Sequence, residues 1–254
     1  MKYRIILTAL LTGGAFMANA QNKPEDTEKW EPVPPVVTAG KVVGEAPSDA
    51  VVLFDAKSGL SQWKDVASGG DAKWDVKGDV LTVNKSSGNI ETKKSFGSYQ
   101  LHIEWKVPAN ITGTGQGRGN SGVFLASIGK GDDGYELQVL DSYNNKTYVN
   151  GMAGSIYKQF IPLANPTRPP GVWNVYDVIW TAPTFDGDKV KTPARVTVLF
   201  NGVLVENNIE LLGPTQYIGT PAYRKAHGPS PIKLQAHGDK SEPLSFRNIW
   251  VREL

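Results

Sequence analysis

Carboxylate, amide and imidazole side chains recur on one side of three alternating stretches of sequence. They are Glu136 and Gln138 in Tyr135–Leu140, Lys233, Gln235 and His237 in Ile232–His237, and His102, Glu104 and Lys106 in Tyr99–Val107. Successive side chains of a strand point to opposite faces, so each set lies opposite an apolar, core-forming face. If the three strands share a sheet, these polar groups form one surface that could bind sugar hydroxyls and move protons.

An ordinary solvated sheet face is the alternative for the same pattern, because antiparallel sheets often bury only one side. Glu104 and Lys106 fit that alternative when taken alone. A functional interpretation is favoured for Glu136, Gln138 and His237, since His237 ends a strand and the chain has only three His.

Two further segments carry groups that could contact a substrate. Arg118 begins a Gly-flanked polar cluster that continues through Asn120, and its guanidinium could bind a substrate oxygen or pair with a carboxylate across strands. Tyr157 and Lys158 lie in a long segment after Asp141, where Tyr157 could bind or stack on a sugar or simply anchor the loop.

Composition and missing motifs exclude several classes of function. Without Lys2 and Arg4, which fall in the N-terminal signal, 25 basic residues face 25 acidic ones, which argues against nucleic acid and anionic membranes as partners. Phosphate-binding loops, dinucleotide fingerprints, metal-spaced His pairs and esterase elbows are absent, so we expect no organic cofactor. The acidic pairs at 132–133 and 186–188 could bind a divalent cation such as calcium, although surface turns explain them more simply.

The N-terminal residues predict export. A basic start, a short apolar run and Ala18-Asn19-Ala20 form a signal peptide over residues 1–20, so we expect a periplasmic or secreted protein with no membrane span after cleavage. Residues 21–48 are rich in Pro and charge and read as an extended arm with Trp30 as an anchor. The chain has no Cys, so disulfides do not contribute to stability.

Short strand signals separated by Gly, Asn, Asp and Pro fill residues 49–254. We predict strands at Val51–Phe54, Val80–Val83, Tyr99–Val107, Gly122–Ala126, Tyr135–Leu140, Val172–Trp180, Arg195–Phe200, Val203–Glu206, Ile232–His237 and Phe246–Arg252. This pattern indicates one all-β domain, a β-sandwich of jelly-roll type. Asn201-Gly202 predicts a tight hairpin, and we expect Trp173 and Trp180 in the core. The long connections 142–171 and 211–231 could wall a cleft.

With these residues assembled, the chain resembles the 3-keto-disaccharide hydrolase family, whose fold is the concanavalin A-like sandwich of two antiparallel sheets. The motifs that carry the resemblance are Trp30–Pro34, Val52–Asp55, Gly119–Phe124, Tyr135–Ser142, Gly154–Tyr157, Gly171–Asn174, Leu234–Gly238 and Phe246–Trp250. One departure is Ala236, where the family often has an acidic residue beside the His. Another comparison concerns the glucanase pattern Glu-x-Asp-x-x-Glu, which reads here Glu136-x-Gln138-x-x-Asp141. An amide cannot act as the missing carboxylate, which disfavours an ordinary retaining glycosidase.

The resemblance implies cleavage of glycosides that are already oxidised to a ketone at sugar C3. The ketone acidifies the C2 proton, and loss of that proton expels the glycosidic oxygen from C1. Addition of water then gives net hydrolysis, and stopping earlier gives lyase chemistry. Within this scheme His237 or Glu136 is the base or acid, and Arg118 or a divalent cation stabilises the enolate. Hydroxyl contacts are assigned to Asn120, Gln138, Gln235, Tyr157, Glu104, Asp141 and Lys158. A lectin-like module that binds an oligosaccharide or glycoside, and a conventional glycosidase, remain as alternatives.

Overall fold

Short antiparallel strands make up almost all of the regular structure in residues 42–254, the part of the chain that the computed structural model describes. The predicted signal peptide and Trp30 lie outside these residues, as does most of the predicted arm. The strands are β1 Val51–Phe54, β2 Trp63–Asp65, β3 Asp75–Lys77, β4 Val80–Thr82, β5 Ile90–Thr92, β6 Tyr99–Lys106, β7 Ser121–Ser127, β8 Gly134–Val139, β9 Asn174–Thr181, β10 Thr184–Asp186, β11 Lys189–Thr192, β12 Arg195–Phe200, β13 Val203–Glu210, β14 Lys233–Leu234 and β15 Ser245–Glu253. Single turns of 3₁₀ helix occur at Gly115–Gly117 and Val149–Gly151.

The strands form two main sheets, which confirms the predicted β-sandwich. The large sheet has eight strands in the order β13-β12-β9-β6-β15-β4-β3, with β1 also paired to β15. The small sheet has five strands in the order β2-β5-β14-β7-β8, and β10 and β11 form a separate two-stranded ribbon. All ten predicted strands are present, although the one predicted at Ile232–His237 shortens to β14.

The expectation that the three polar stretches share one sheet is wrong for β6. This strand lies in the middle of the large sheet, between β9 and β15, whereas β8 and β14 belong to the small sheet. Glu104 therefore faces the opposite side of the sandwich from Glu136 and His237.

The core fills the space between the two sheets with large aromatic and aliphatic side chains. Two buried tyrosines also join the sheets through hydrogen bonds: the Tyr99 hydroxyl of β6 donates to the Leu125 carbonyl of β7 at 2.5 Å, and the Tyr176 hydroxyl of β9 donates to the Gln138 carbonyl of β8 at 2.8 Å. Such bonds fix the position of one sheet on the other, because a buried hydroxyl without a partner is costly.

The two Trp residues expected in the core differ. Trp180 is fully buried against Tyr135, as predicted. Trp173 is only half-buried, and the cationic groups of Lys106 and Arg247 lie 4.6 and 4.3 Å from its ring centre on the outside of the large sheet. The prediction for Trp173 is therefore wrong, because cation–π contacts hold the ring at the surface.

The predicted hairpin at Asn201-Gly202 is present between β12 and β13. Both turn residues have positive φ, 52° and 79°, as a two-residue turn with the right-handed twist of the strands requires. Phe200 and Val203 are paired directly across it.

The last residues of the predicted arm pack on the outside of the large sheet. The Gly44 carbonyl accepts hydrogen bonds from the Asn248 amide at 2.8 Å and from the Trp250 indole at 2.9 Å. His102 lies beneath, stacked on Trp250 with ring centres 5.3 Å apart. Within residues 42–254, no helix has the length and apolar character to cross a membrane.

Candidate functional site

The outer face of the small sheet carries aligned rows of polar side chains. In the register of β8, β7 and β14, Glu136 pairs with Phe124 and Phe124 pairs with Lys233. The next row joins Gln138 to Gly122, and the backbone N–H of Gln235 then donates to the Gly122 carbonyl. Asn120 and His237 continue beyond this row and approach each other to 3.4 Å. These side chains all project away from the core because their positions alternate with buried apolar residues.

Two long connections and an acidic turn enclose this face to form a cleft of about 280 Å³. The residues that line it are Asn120, Asp132, Asp133, Glu136, Gln138, Tyr157, Thr215, Gln216, Tyr217, Gln235 and His237. Tyr157 comes from the 142–171 connection and Thr215 to Tyr217 from the 211–231 connection. The prediction that both connections wall a cleft is confirmed.

Six of the ten predicted site residues meet in this cleft: Asn120, Glu136, Gln138, Tyr157, Gln235 and His237. Four do not line it. Glu104 lies on the large sheet and binds Arg247 at 2.6 Å. Lys158 lies at the rim and donates to the Tyr217 carbonyl at 2.7 Å, so its ammonium holds a loop.

Arg118 and Asp141 form an ion pair with each other, 2.7 Å apart, outside the residues that line the cleft. Asp141 is fully buried, and its other oxygen accepts from the Tyr143 backbone at 3.1 Å. Burial raises the pKa of Asp141, and the positive charge of Arg118 opposes this. The role that the structure supports for both residues is the structural alternative, in which Arg118 stabilises a buried carboxylate.

Glu136 is the carboxyl group of the cleft whose pKa favours the protonated form. It is 5% exposed, and its carboxyl oxygens receive no hydrogen bond from any other residue in 42–254. Burial raises the pKa of Glu136 to about 8, the negative charge of Asp132 adds to this, and Lys233 acts in the opposite direction. Glu136 therefore holds a proton at neutral pH and can act as a general acid.

His237 is oriented by a carboxylate that the sequence analysis missed. Its Nδ1 lies 3.0 Å from Asp239 Oδ2, while Nε2 is directed toward Asn120 in the cleft. Asp239 is itself nearly buried and is bound by the Lys85 ammonium at 3.0 Å and by Ser241. Burial would raise the pKa of Asp239, but the bonds from His237, Ser241 and Lys85 hold it well below its usual range. An ionised Asp on Nδ1 keeps Nε2 available as a proton acceptor.

The departure at Ala236 thus has a structural answer. The acidic partner of His237 comes from two residues after the imidazole rather than from the residue before it. The sequence did contain a weak signal, because His-x-Asp follows the strand directly, but the turn that brings the two side chains together could not be read from the pattern.

Amide groups between these two residues have unused hydrogen-bonding capacity. The buried Oε1 atoms of Gln138 and Gln235 have no partner among the described residues. Gln138 uses its nitrogen to donate to Asn120 Oδ1 at 2.9 Å, whereas the Gln235 nitrogen binds no acceptor in residues 42–254. Buried polar atoms without partners are costly, so these are the atoms that a hydroxyl-bearing ligand would satisfy.

Lys233 supports the cleft from below and was missed as a functional residue. Its fully buried ammonium donates to the carbonyls of Gly129, Gly131 and Asp133 at 3.2, 2.8 and 2.9 Å. These bonds fix the turn that carries Asp132 and Asp133 into the cleft. Burial lowers the pKa of Lys233, against the opposing charges of the nearby carboxylates.

The predicted cation site depends on carboxylates that lie close enough together to share an ion. Asp132 and Asp133 do line the cleft, but Asp132 accepts a hydrogen bond from Asn89 at 2.9 Å. Within residues 42–254, no group of three or more His, Cys, Asp or Glu side chains is arranged to hold a metal ion. The described residues therefore do not fit a protein-built metal centre.

Solved structures with the same fold come from Parabacteroides distasonis ATCC 8503. One, a candidate glycosyl hydrolase, is 55% identical, with 96% of this chain and 100% of that chain covered and a TM-score of 0.85. A second candidate glycosyl hydrolase from the same organism is 20% identical, covers 81% of this chain and 94% of its own, and has a TM-score of 0.56. The second supports the fold alone.

A family model describes the domain itself. No curated protein matches the chain significantly. The model of the 3-keto-alpha-glucoside-1,2-lyase-like domain matches residues 49–252, which is most of the chain and includes every residue of the cleft. The chain therefore belongs to the family of the 3-keto-alpha-glucoside-1,2-lyase-like domain.

Proposed function

We propose that this protein cleaves the glycosidic bond of 3-keto-glycosides, with His237 as the base and Glu136 as the acid. Family membership and the solved relatives support a glycan-cleaving enzyme of the glycoside-hydrolase kind in general. The specificity for a ketone sugar rests on one observation: an imidazole backed by the Asp239 carboxylate shares the cleft with a carboxyl group that is protonated at neutral pH.

The proposed reaction begins with proton transfer from the sugar C2 to His237 Nε2. The C2–H electron pair forms the C2=C3 bond of an enolate, and the negative charge moves to the C3 oxygen. The Gln235 amide nitrogen, which has no acceptor among the described residues, is the donor that we assign to this oxygen. Arg118 is not assigned this role because its guanidinium is paired with the Asp141 carboxylate.

In the second step the enolate collapses and expels the glycosidic oxygen from C1. A C1=C2 bond forms, the C3 ketone is restored, and Glu136 gives its proton to the leaving oxygen. If water then adds to C1, its proton returns to Glu136 while His237 returns its proton to C2. The net reaction is hydrolysis. If the product is released before water adds, the reaction is that of a lyase, and exchange with solvent restores the starting protonation of both side chains.

A substrate panel tests this proposal. The purified protein is incubated with a disaccharide and with its 3-keto derivative in deuterated water, with and without a chelator. We expect cleavage of the keto form alone, deuterium at C2 of recovered substrate or product, and loss of both in His237→Ala. Chelation tests the divalent cation directly.

Two other outcomes identify the alternatives. Asp132 and Asp133 provide carboxylates near Glu136, so cleavage of the unoxidised disaccharide would assign a conventional two-carboxylate glycosidase instead. Binding of either sugar without turnover would assign a lectin-like module. We also propose that the protein acts in the periplasm or outside the cell, as the signal peptide predicts; an N-terminus beginning near residue 21 in the exported fraction would support this.

A further inference from the structure

The cleft has two chemically different parts, separated by Glu136. On one side of it, Gln138, Gln235, Asn120 and His237 follow in consecutive rows toward the end of β8. On the other side lie Tyr157, which is next to Glu136 at the outer edge of β8, and Tyr217, which shares the Lys158 ammonium with Tyr157. The Tyr157 backbone amide donates to the Glu136 carbonyl at 3.1 Å, which fixes Tyr157 beside the proposed acid.

The carboxyl group of Glu136 leans toward the amide rows. Its Oε1 lies so close to Gly122 that a Cβ on that residue would be only 2.6 Å away. A sugar ring bound against the side-chain amides of Gln138 and Gln235 would therefore have the acid at one edge, with the His237 side of the cleft at the other. A leaving oxygen protonated by Glu136 must sit on the tyrosine side, and the group attached to it must extend there.

The tyrosine side is an aromatic rim with a built support. The Lys158 ammonium lies 4.3, 5.7 and 5.9 Å from the ring centres of Tyr217, Tyr157 and Tyr148, and it donates to the Tyr217 carbonyl. The hydroxyls of Tyr148 and Tyr157 are 2.6 Å apart. Despite these contacts Tyr217 is 72% exposed, so most of its ring is free to stack on a ligand.

We propose that Tyr157 and Tyr217, held by Lys158, form the leaving-group subsite and take an aglycone with a flat face. The proposal rests on the function proposed above and adds which end of the cleft binds which half of the substrate. A pyranose ring and an aryl ring share the chemistry that this rim recognises, which is a flat apolar face that an aromatic ring can cover. The keto sugar then occupies the amide rows.

Three substrates of one anomeric configuration test the subsite: methyl, phenyl and glucosyl 3-keto-glucosides. In Tyr217→Ala we expect kcat/KM to fall roughly tenfold for an aglycone with a flat face, which is the size of effect that loss of one stacking contact gives. The methyl glycoside, which cannot reach the rim, should change less than twofold. Lys158→Met should give the same selective loss at smaller size, because Tyr217 is then less firmly held.

Tyr143→Ala is the matched control, because Tyr143 is also exposed but does not line the cleft. Thermal melting verifies that each variant is folded. Selective loss on the phenyl glycoside, the glucosyl glycoside or both supports the subsite and identifies its occupant. Equal losses on all three substrates, or none, would overturn it. If the wild-type protein cleaves none of them, the proposed function itself fails.

Discussion

At the residue scale, a carboxyl group that is protonated at neutral pH shares the cleft with an imidazole backed by a carboxylate, and the proposed elimination needs both. Glu136 is isolated from hydrogen-bond donors and its pKa is raised to about 8. His237 has an ionised carboxylate on Nδ1, and its Nε2 faces the Asn120 side-chain nitrogen at 3.4 Å in the cleft. The proposed reaction removes one proton and supplies another, so it needs both a base and an acid.

Glu136→Gln should remove the acid and leave the base intact. Cleavage with a sugar or alkyl leaving group should fall by about 10²- to 10⁴-fold. A 4-nitrophenyl 3-keto-glucoside, whose leaving group needs no proton, should lose less than roughly tenfold. In the wild type kcat/KM should fall as the pH rises through about 8, where Glu136 loses its proton, and this alkaline limb should be absent from the variant.

Glu91→Gln is the control for this prediction, because Glu91 lies on the same sheet face but pairs with Lys64 at 3.2 Å. Its pH profile should match that of the wild type. Equal losses on both leaving groups in Glu136→Gln would contradict the assignment of Glu136 as the acid.

Whether the sequence could predict the position of a site residue depended on the kind of contact involved. Glu136, Gln138, Gln235 and His237 were predictable because alternation identifies which side chains of one strand share a face. Asp239 was missed because its contact with His237 depends on a turn. The pairing of Arg118 with Asp141 was left open, because a sequence pattern cannot indicate which of several carboxylates a guanidinium will meet.

At the scale of elements, β7 contributes open space to the cleft, because Gly122 has no side chain. Gly122 lies between Gln138 and Gln235, and the space above it holds the Glu136 carboxyl group. Its φ is not in the left-handed region, so an Ala is compatible with the backbone there. The glycine is needed for room.

Gly122→Ala should therefore inactivate the protein without unfolding it. The new methyl group would approach Glu136 Oε1 to 2.6 Å, and the flexible end of the Glu side chain would move away. We expect at least a tenfold lower kcat/KM, since small displacements of a reacting group are costly, with a melting temperature close to that of the wild type. Gly97→Ala, where a Cβ meets no atom within 4 Å, should retain full activity. Full activity in Gly122→Ala would show that the position of Glu136 is not critical.

Elements were predictable from local sequence, but their assembly was not. The stretches predicted over four or more residues all form strands, whereas three-residue strands such as β2, β3 and β5 carry too little periodicity to be recognised. The sequence also left open whether β6 shares a sheet with β8 and β14. Alternation says which face of a strand is buried and does not say which strands lie side by side.

At the scale of the whole molecule, the outside of the large sheet carries a charged network that meets the N-terminal segment. Burial opposes the charged form of His102, but hydrogen bonds with Asp177 and Glu104 prevail and raise its pKa to about 9. Burial likewise opposes ionisation of Glu104, yet His102, Asn248 and Arg247 lower its pKa to about 2. The segment around Gly44 covers this network.

This network predicts a loss of stability at alkaline pH. Because the pKa of His102 is higher in the folded state, its contribution is complete below pH 6.5 and disappears as the pH rises through about 9. The expected loss in the free energy of unfolding is on the order of 3 kcal/mol. Urea unfolding between pH 6 and 10 measures it, and His102→Gln should flatten the curve.

His227→Gln provides the comparison, because burial lowers the pKa of His227, away from the alkaline range in which His102 loses its proton. That variant should keep the slope of the wild type. A slope that persists in His102→Gln would assign the pH dependence to other groups.

The bond between Lys85 and Asp239 connects chemistry to architecture. Lys85 follows β4 of the large sheet, while Asp239 and His237 follow β14 of the small sheet. Lys85 also donates to the carbonyls of Asp239 and Ser241, at 2.9 and 2.8 Å. It therefore stabilises the whole turn that orients the His237 imidazole. The orientation of the proposed base therefore depends on the alignment of the two sheets. If one sheet slid over the other, the imidazole would change its orientation while both sheets kept their strands.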